Sequence, residues 1–351
     1  MKRYYLILPE KPSSLLKEMI NATTKNIEYE VLENFEQLPD LKNINIIFAI
    51  ELPITGISNN LNNFFLELFN RGFDSLLGSE GIVLVHSQYQ YFTKTTAQSI
   101  IFKSNLLGCR FPGRPLVEAT GNLDNLIPLQ KVYNLPLEEI CLYLCSKLGE
   151  RFTNDKITKV KKPKILAIHS SNRNTSNTLT LWDMIKENLD ITDITEINIQ
   201  NATIVDCIGC PYKACKHYGQ QTKCFYGGII VQEVYPALLK ADALVFICPN
   251  YNDMITANLV ALINRLTALF RKTKFYDKTL FSIIVSGHSG GDALAKQLIS
   301  SLNINKTFKL PPYFALMAVA NDRGAIRKVP HIEELAKKFA ENIIINIKQQ
   351  I

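Results

Sequence analysis

The chain has 351 residues, of which 47% are hydrophobic and 20% charged, and a net charge of +7. That much apolar material fills the cores of two ordinary domains and excludes a disordered chain. The apolar runs end at Asn, Pro or charge long before the roughly 20 residues a membrane-spanning helix needs, and no basic block interleaved with aromatics marks a nucleic-acid surface.

Residues 4–8 follow Lys2 and Arg3, but the apolar run stops at Pro9 and Glu10, too early for a signal-peptide core. It reads as a first strand in a cytoplasmic protein. Residues 46–68 then read as strand, loop and helix, residues 82–87 and 115–122 as further strands, and residues 136–140 as the start of a closing helix. The series occurs twice. Residues 46–68 can be laid over 244–266, with Phe48 on Phe246 and Leu61 on Leu259; 82–87 lies over 284–289, 115–122 over 314–321, and the closing helix is answered at 330–335. The strand at 4–8 is answered by 165–168. A repeat of this length is an internal duplication, and it sets the expected domains at 1–155 and 165–351, joined by the basic linker 156–164.

In the second copy the strands fall at 165–168, 194–199, 243–248, 280–285 and 314–320, and helices at 178–189, 231–240, 257–270, 292–302 and 333–348. Short apolar runs alternating with helices indicate parallel strands covered on both faces. The expected class is α/β: two tandem doubly wound domains, each with a five-stranded parallel sheet in the order 2-1-3-4-5.

Ligands of such sheets bind at the carboxyl ends of the strands, and three loops of the second copy are unusual there. After the first strand come His169, Ser170, Ser171, Asn172, Arg173, Asn174, Thr175, Ser176, Asn177 and Thr178, hydroxyls and amides with one Arg opening into a helix. Free amides and a positive dipole end at a helix N-terminus make a phosphate cradle; simple capping by Ser176 or Asn177 needs only one such residue. Pro249, Asn250, Tyr251, Asn252, Asp253 and Met254 follow the third strand, offering amides and an aromatic to a flat ligand, though such a string also makes an ordinary turn. Ser286, Gly287, His288, Ser289, Gly290 and Gly291 follow the fourth, where glycines let backbone approach closely.

The first of these loops resembles the phosphate loop of the NADPH-dependent FMN reductase-like flavoproteins, including the iron-sulfur flavoproteins, and the likeness runs over about 164–347. It implies a flavodoxin-like fold binding FMN, with Ser170, Arg173, Asn177 and Thr178 on phosphate-binding positions, while His169 replaces a usual Gly. The loops at 249–254 and 286–291 resemble the family's ring-binding loops, so Asn174, Ser176, Pro249, Asn250, Tyr251, Asn252, Asp253, Met254, Ser286, Gly287, His288, Gly290 and Gly291 complete the expected cofactor site. The implied function is an NAD(P)H oxidoreductase passing electrons through flavin to a small acceptor such as a quinone or flavin. No catalytic side chain is assigned, because the flavin carries the chemistry. The alternatives are an iron-sulfur flavoprotein passing single electrons to a partner protein and a cofactor-free binding protein.

The first copy keeps none of these loops. Glu10 and two prolines stand in its first loop, its loop at 51–56 lacks the Asn and Tyr, and its loop at 87–90 lacks the glycines. A carboxylate is a poor neighbour for a phosphate, so the first copy is expected to bind no FMN. The family places its flavin at subunit interfaces, which implies either a homodimer or an internal pseudo-dimer in which this copy replaces a partner; a packing platform is the plainer reading.

Cys109, Cys141 and Cys145 sit in apolar surroundings and read as buried thiols. Cys207, Cys210, Cys215 and Cys224 have the spacing C-x2-C-x4-C-x8-C on what reads as an irregular loop. Four such thiolates could gather a 4Fe-4S cluster, or zinc with His217 replacing one ligand. The third reading is a cluster-free loop shaping a substrate mouth with Tyr212, Tyr218, Phe225 and Tyr226. Trp182 reads as core, His331 as surface, and Arg265 as a tie between helix and loop.

Overall fold

In the computed structural model, which describes residues 3–154, 159–200 and 203–349, the chain forms two compact units, Met1–Lys156 and Ile157–Ile351. The first contains β1 (Tyr4–Ile7), α1 (Ser14–Thr23), β2 (Glu30–Leu32), β3 (Asn45–Glu51), α2 (Asn59–Arg71), β4 (Glu80–Ser87), α3 (Thr93–Leu106), β5 (Leu116–Thr120), α4 (Ile127–Tyr133) and α5 (Leu137–Asn154). Its strands are all parallel, in the order β2-β1-β3-β4-β5. Every residue of β4 is buried, as a strand covered on both faces requires. In α2, Leu61, Phe64, Phe65 and Leu68 fall on one helical stripe and are buried, with Ser58 capping the free amide of Leu61. Cys141 and Cys145 lie in the core cluster with Leu16, Ile47 and Phe152, and burial pushes the Cys109 thiol well above its ordinary pKa.

The second unit contains β6 (Lys164–His169), α6 (Asn177–Lys186), β7 (Asp193–Asn198), α7 (Tyr212–Gln220), α8 (Tyr235–Lys240), β8 (Ala243–Asn250), α9 (Ala257–Phe270), β9 (Thr279–Ser286), α10 (Gly291–Leu298), β10 (Ala315–Val319) and α11 (Ile332–Ile347). Its sheet is also all parallel, in the order β7-β6-β8-β9-β10. Renumbered within each unit, both sheets read 2-1-3-4-5, so the flavodoxin-like architecture is present twice.

Two differences from the sequence expectation concern helices. The stretch 207–224 is not wholly irregular, since α7 forms inside it. The helices expected at 231–240 and 292–302 each include a π-helical turn, Ile230–Val234 before α8 and Ile299–Ile304 after α10. Of the expected linker, residues 156–158 lie outside the described residues. Val160 donates to the Ile347 carbonyl at 3.0 Å and accepts from Gln349 at 3.0 Å, which fastens the later part to the end of α11. Among the described residues no helix is long and apolar enough to cross a membrane.

Close helix packing in the first unit depends on Gly149 of α5, where a β-carbon would collide with the Thr23 carbonyl of α1. Gly149→Ala should cost about 1–3 kcal/mol through overpacking. In scanning calorimetry it should lower the first unit's transition by about 2–4 °C per kcal/mol; an unchanged transition would refute this account of the α1–α5 contact.

Candidate cofactor site and the cysteine cavity

His169 ends β6 and is buried, and the chain then turns through an Asx-type bend in which the Asn172 side chain accepts from the Asn174 amide at 2.9 Å. Ser176 caps α6 by accepting from the Leu179 amide at 3.2 Å. The first amides of α6, those of Asn177 and Thr178, have no partner within the helix and point out of its N-terminus. In the same loop Ser171 is 3% exposed, and its hydroxyl has no hydrogen-bond partner. The expected set omitted Ser171, although a second hydroxyl next to Ser170 was visible in the sequence.

Two expected phosphate ligands are engaged elsewhere. The Asn177 side chain is buried and donates to the carbonyls of Ala320 at 3.1 Å and Asp322 at 2.8 Å, while its oxygen accepts from the Ile326 amide at 3.4 Å. It ties the start of α6 to the loop after β10. The Arg173 guanidinium is drawn to the outer side of the loop by Glu196 and by Asp183 at 3.3 Å. Ser170 is half-buried and Asn174 exposed.

Glu196, on β7, is the hub of this side. Besides Arg173 it meets His169 Nε2 at 3.4 Å, Trp182 Nε1 at 3.0 Å and Lys186 Nζ at 3.1 Å. The hydrogen bond with His169, then those from Trp182 and Lys186, hold its carboxyl far below the usual range against the desolvation that pushes it up. Trp182 is core, as expected, and its indole nitrogen is satisfied by this carboxylate.

The loop after β8 is a tight turn. Tyr251 bridges Met254, and Asn252 and Asp253 between them both have positive φ, 55° and 56°, the geometry of a type I′ turn. Tyr251 and Met254 are left 62% and 55% exposed, so the tip presents two large apolar side chains outward. Pro249 stays within β8. The Asn250 amide nitrogen joins this loop to the next by donating to Ser286 Oγ at 3.0 Å and the Ser289 carbonyl at 3.1 Å, while its oxygen is buried without a partner. Thr256, which precedes α9, has a second unpartnered buried hydroxyl.

Gly290 has φ of 96° and is the N-cap of α10; a β-carbon there would strike Asp253 and Asn250. This glycine therefore serves the fit of two loops of the protein to each other, where the sequence suggested approach to a ligand. Gly287 and His288 are exposed, and Gly291 opens α10.

Cys207, Cys210, Cys215 and Cys224 all line one cavity of about 320 Å³, walled by Tyr218, Phe225 and Tyr226. Among the described residues no three His, Cys, Asp or Glu side chains are grouped closely enough to hold a single metal ion. His217 bonds Gln221 at 3.0 Å and does not line the cavity. Arg265 of α9 is 2% exposed and does tie helix to loop: it donates to the carbonyls of Val205 at 3.3 Å and Gly227 at 2.6 Å, the two ends of the cysteine segment.

The same edge of the first unit is built otherwise. Glu51, at the end of β3, accepts from the Ser13 amide at 2.9 Å and bonds His86 Nδ1 at 2.6 Å; Ser58 donates to Glu10 at 2.9 Å. Glu10 and Glu51 also line a cleft of about 640 Å³ together with Lys11, so an anion entering it meets two carboxylates and one ammonium.

The depressed Glu196 carboxyl links stability to pH. A group whose pKa is lower folded than unfolded stabilises fully above the unfolded value, about 4.3 for Glu, and loses that contribution as pH falls below it. Urea midpoints of the wild type and Glu196→Gln should therefore differ most at pH 7 and draw together progressively as pH falls below about 4, meeting only near the depressed folded pKa; a pH-independent difference would rule out this role.

Compared with known proteins, residues 163–321 match the model of the family described as NADPH-dependent FMN reductase. No curated protein matches the chain. Three solved structures illustrate the likeness. RosB with a bound 8-demethyl-8-formylriboflavin-5'-phosphate intermediate is 15% identical over 52% of this chain and 77% of its own, with a TM-score of 0.41. The NAD(P)H:quinone oxidoreductase from Methanothermobacter marburgensis is 13% identical over 52% and 99%, with a TM-score of 0.38. A flavodoxin, WrbA-like, from Agrobacterium tumefaciens is 13% identical over 53% and 98%, with a TM-score of 0.34. Likeness at these values decides neither ligand nor activity. The matched segment, less than half of the chain, contains all three strand-end loops and the cysteine cavity's four thiols, so it is the second unit that is similar to the family described as NADPH-dependent FMN reductase.

Proposed function

We propose that the second unit binds FMN across the carboxyl ends of β6, β8 and β9 and works as an NAD(P)H oxidoreductase toward a small acceptor of the quinone or flavin class. The observation that carries the reading is the pairing of a helix N-terminus with buried polar atoms that lack partners, Ser171 Oγ on one strand end and Asn250 Oδ1 on another. A buried polar atom left unpaired costs about 1–3 kcal/mol, which a ligand's phosphate and amide groups would recover. Bound FMN supplies the acceptor for a nicotinamide hydride and the donor to the second substrate. The α6 amides and Ser171 hold the phosphate, Asn250 meets the ring's polar edge, and Tyr251 and Met254 cover its face.

Ser171→Ala should weaken FMN binding about tenfold, equivalent to about 1.4 kcal/mol, the worth of one hydrogen bond to a charged group. Arg173→Ala should weaken it less, because that guanidinium is held by Glu196 and Asp183. Titration of the apoprotein by flavin fluorescence checks both. A protein that cannot be reconstituted with FMN at all would favour the cofactor-free reading instead.

A second reading rests on its own observation, the convergence of all four cysteines of the 207–224 segment on one cavity. Zinc holds its sulfur ligands at about 2.3 Å, among the described residues no three such donors are grouped to hold one metal ion, and His217 does not line the cavity. That donor set fits a 4Fe-4S cluster better than zinc. A cluster bound there supplies one-electron transfer, making the chain an iron-sulfur flavoprotein with a protein partner. Anaerobically purified protein should contain about four iron and four sulfide per chain; iron-free protein with full FMN would return the cavity to the role of substrate mouth.

A further inference from the structure

Arg265 lines the cysteine cavity with almost its whole side chain out of water, 2% exposed. Its two terminal nitrogens donate to main-chain carbonyls, and its Nε is buried with no partner. Among the described residues none of its hydrogen bonds goes to a carboxylate. A buried guanidinium without an anion is expensive, because the carbonyl bonds satisfy protons without neutralising the charge. Besides the four cysteines and three aromatic rings, the cavity is lined by Arg271, Asn264, Thr267 and small residues, and among the described residues no carboxylate lines it. The group that completes the electrostatics is therefore an anion inside the cavity.

Resting on the second reading above, we propose that Arg265 is the fixed counter-charge of an anionic iron-sulfur–thiolate centre held by Cys207, Cys210, Cys215 and Cys224, and that it raises the reduction potential of that centre. Reduction adds one electron and one negative charge inside the cavity. A cation fixed beside it, in surroundings drier than bulk water, attracts the reduced state more strongly than the oxidised one. Net charge and solvent exposure are recognised controls on such potentials. Arg271 also lines the cavity, but it is exposed and lies over the Tyr212 ring at 4.7 Å. Solvent screens its charge, so its influence is the smaller of the two.

The test uses the full chain, reconstituted anaerobically with iron and sulfide, and reads midpoint potential by EPR-monitored redox titration. Arg265→Gln should shift the potential negative by about a tenfold change in the reduction equilibrium, about 59 mV for one electron. Arg265→Lys should keep most of the wild-type value, and Arg271→Gln should shift it by clearly less than Arg265→Gln. If Arg265→Gln releases the segment and loses iron, rescue of iron content and potential by Arg265→Lys supports the counter-charge, and a lysine variant as defective as the glutamine overturns it. An iron-loaded Arg265→Gln protein with unchanged potential overturns this inference alone. A wild type that takes up no iron overturns the second reading and this inference with it.

Discussion

Parallel pairing of β8 with β6 on one side and β9 on the other is the constraint from which the site follows. Adjacent parallel strands deliver their carboxyl ends to one edge, so loops far apart in sequence are brought to the same side of the sheet without any special device. The register sets the depth: His169 pairs with Ile247, whereas Asn250 pairs with Ser286. β8 thus runs three residues beyond the end of β6, leaving a step with the phosphate-type loop below and the Tyr251 turn above. Asn250 stands at that step and holds the two upper loops together through Ser286 and Ser289.

The two units show how little of this edge the fold itself dictates. Both sheets have the same order and both have a capped first helix, with Ser13 and Ser176 in the same local role. In the first unit, however, carboxylates link the loops: Glu51 binds the Ser13 amide and His86, and Glu10 binds Ser58. In the second unit, among the described residues, no carboxylate joins the equivalent loops; the Asn250 amide nitrogen joins two of them, and the buried oxygens of Ser171 and Asn250 have no partner. Duplication preserved the hydrophobic pattern that builds a sheet while the polar edge diverged, since a sheet needs its apolar strands and tolerates varied loops.

The fold was legible because its signals are local: short apolar runs, helical stripes and a second copy against which to check each element. The loop ahead of α6 was legible as a run of hydroxyls and amides before a helix. The roles of particular side chains were not. Asn177 is bound by carbonyls about 145 residues away, and Arg173 by a carboxylate on the next strand, contacts that no spacing in the loop reveals. Gly290 likewise follows from the position of Asp253 on a neighbouring loop. Ser171 was hidden by its resemblance to Ser170, since only burial distinguishes the hydroxyl left without a partner. The α7 helix escaped notice because its only buried residue is Gly219, so no apolar stripe announces it.

The cofactor edge and the cysteine cavity share one rigid element. α9 starts beside the Tyr251 turn, directly after Thr256, and carries Arg265 about two turns later. At 1.5 Å per residue, that places the guanidinium's α-carbon about 12 Å along the helix from Ala257. Leu259, Leu262, Leu266 and Leu269 are all buried, so the helix is fixed against the sheet along its length. Asn258 near its start donates to the carbonyl of Ile199, and Arg265 farther along grips Val205 and Gly227. The helix, which follows the Tyr251 turn, therefore ties down the end of β7 and the two ends of the cysteine segment.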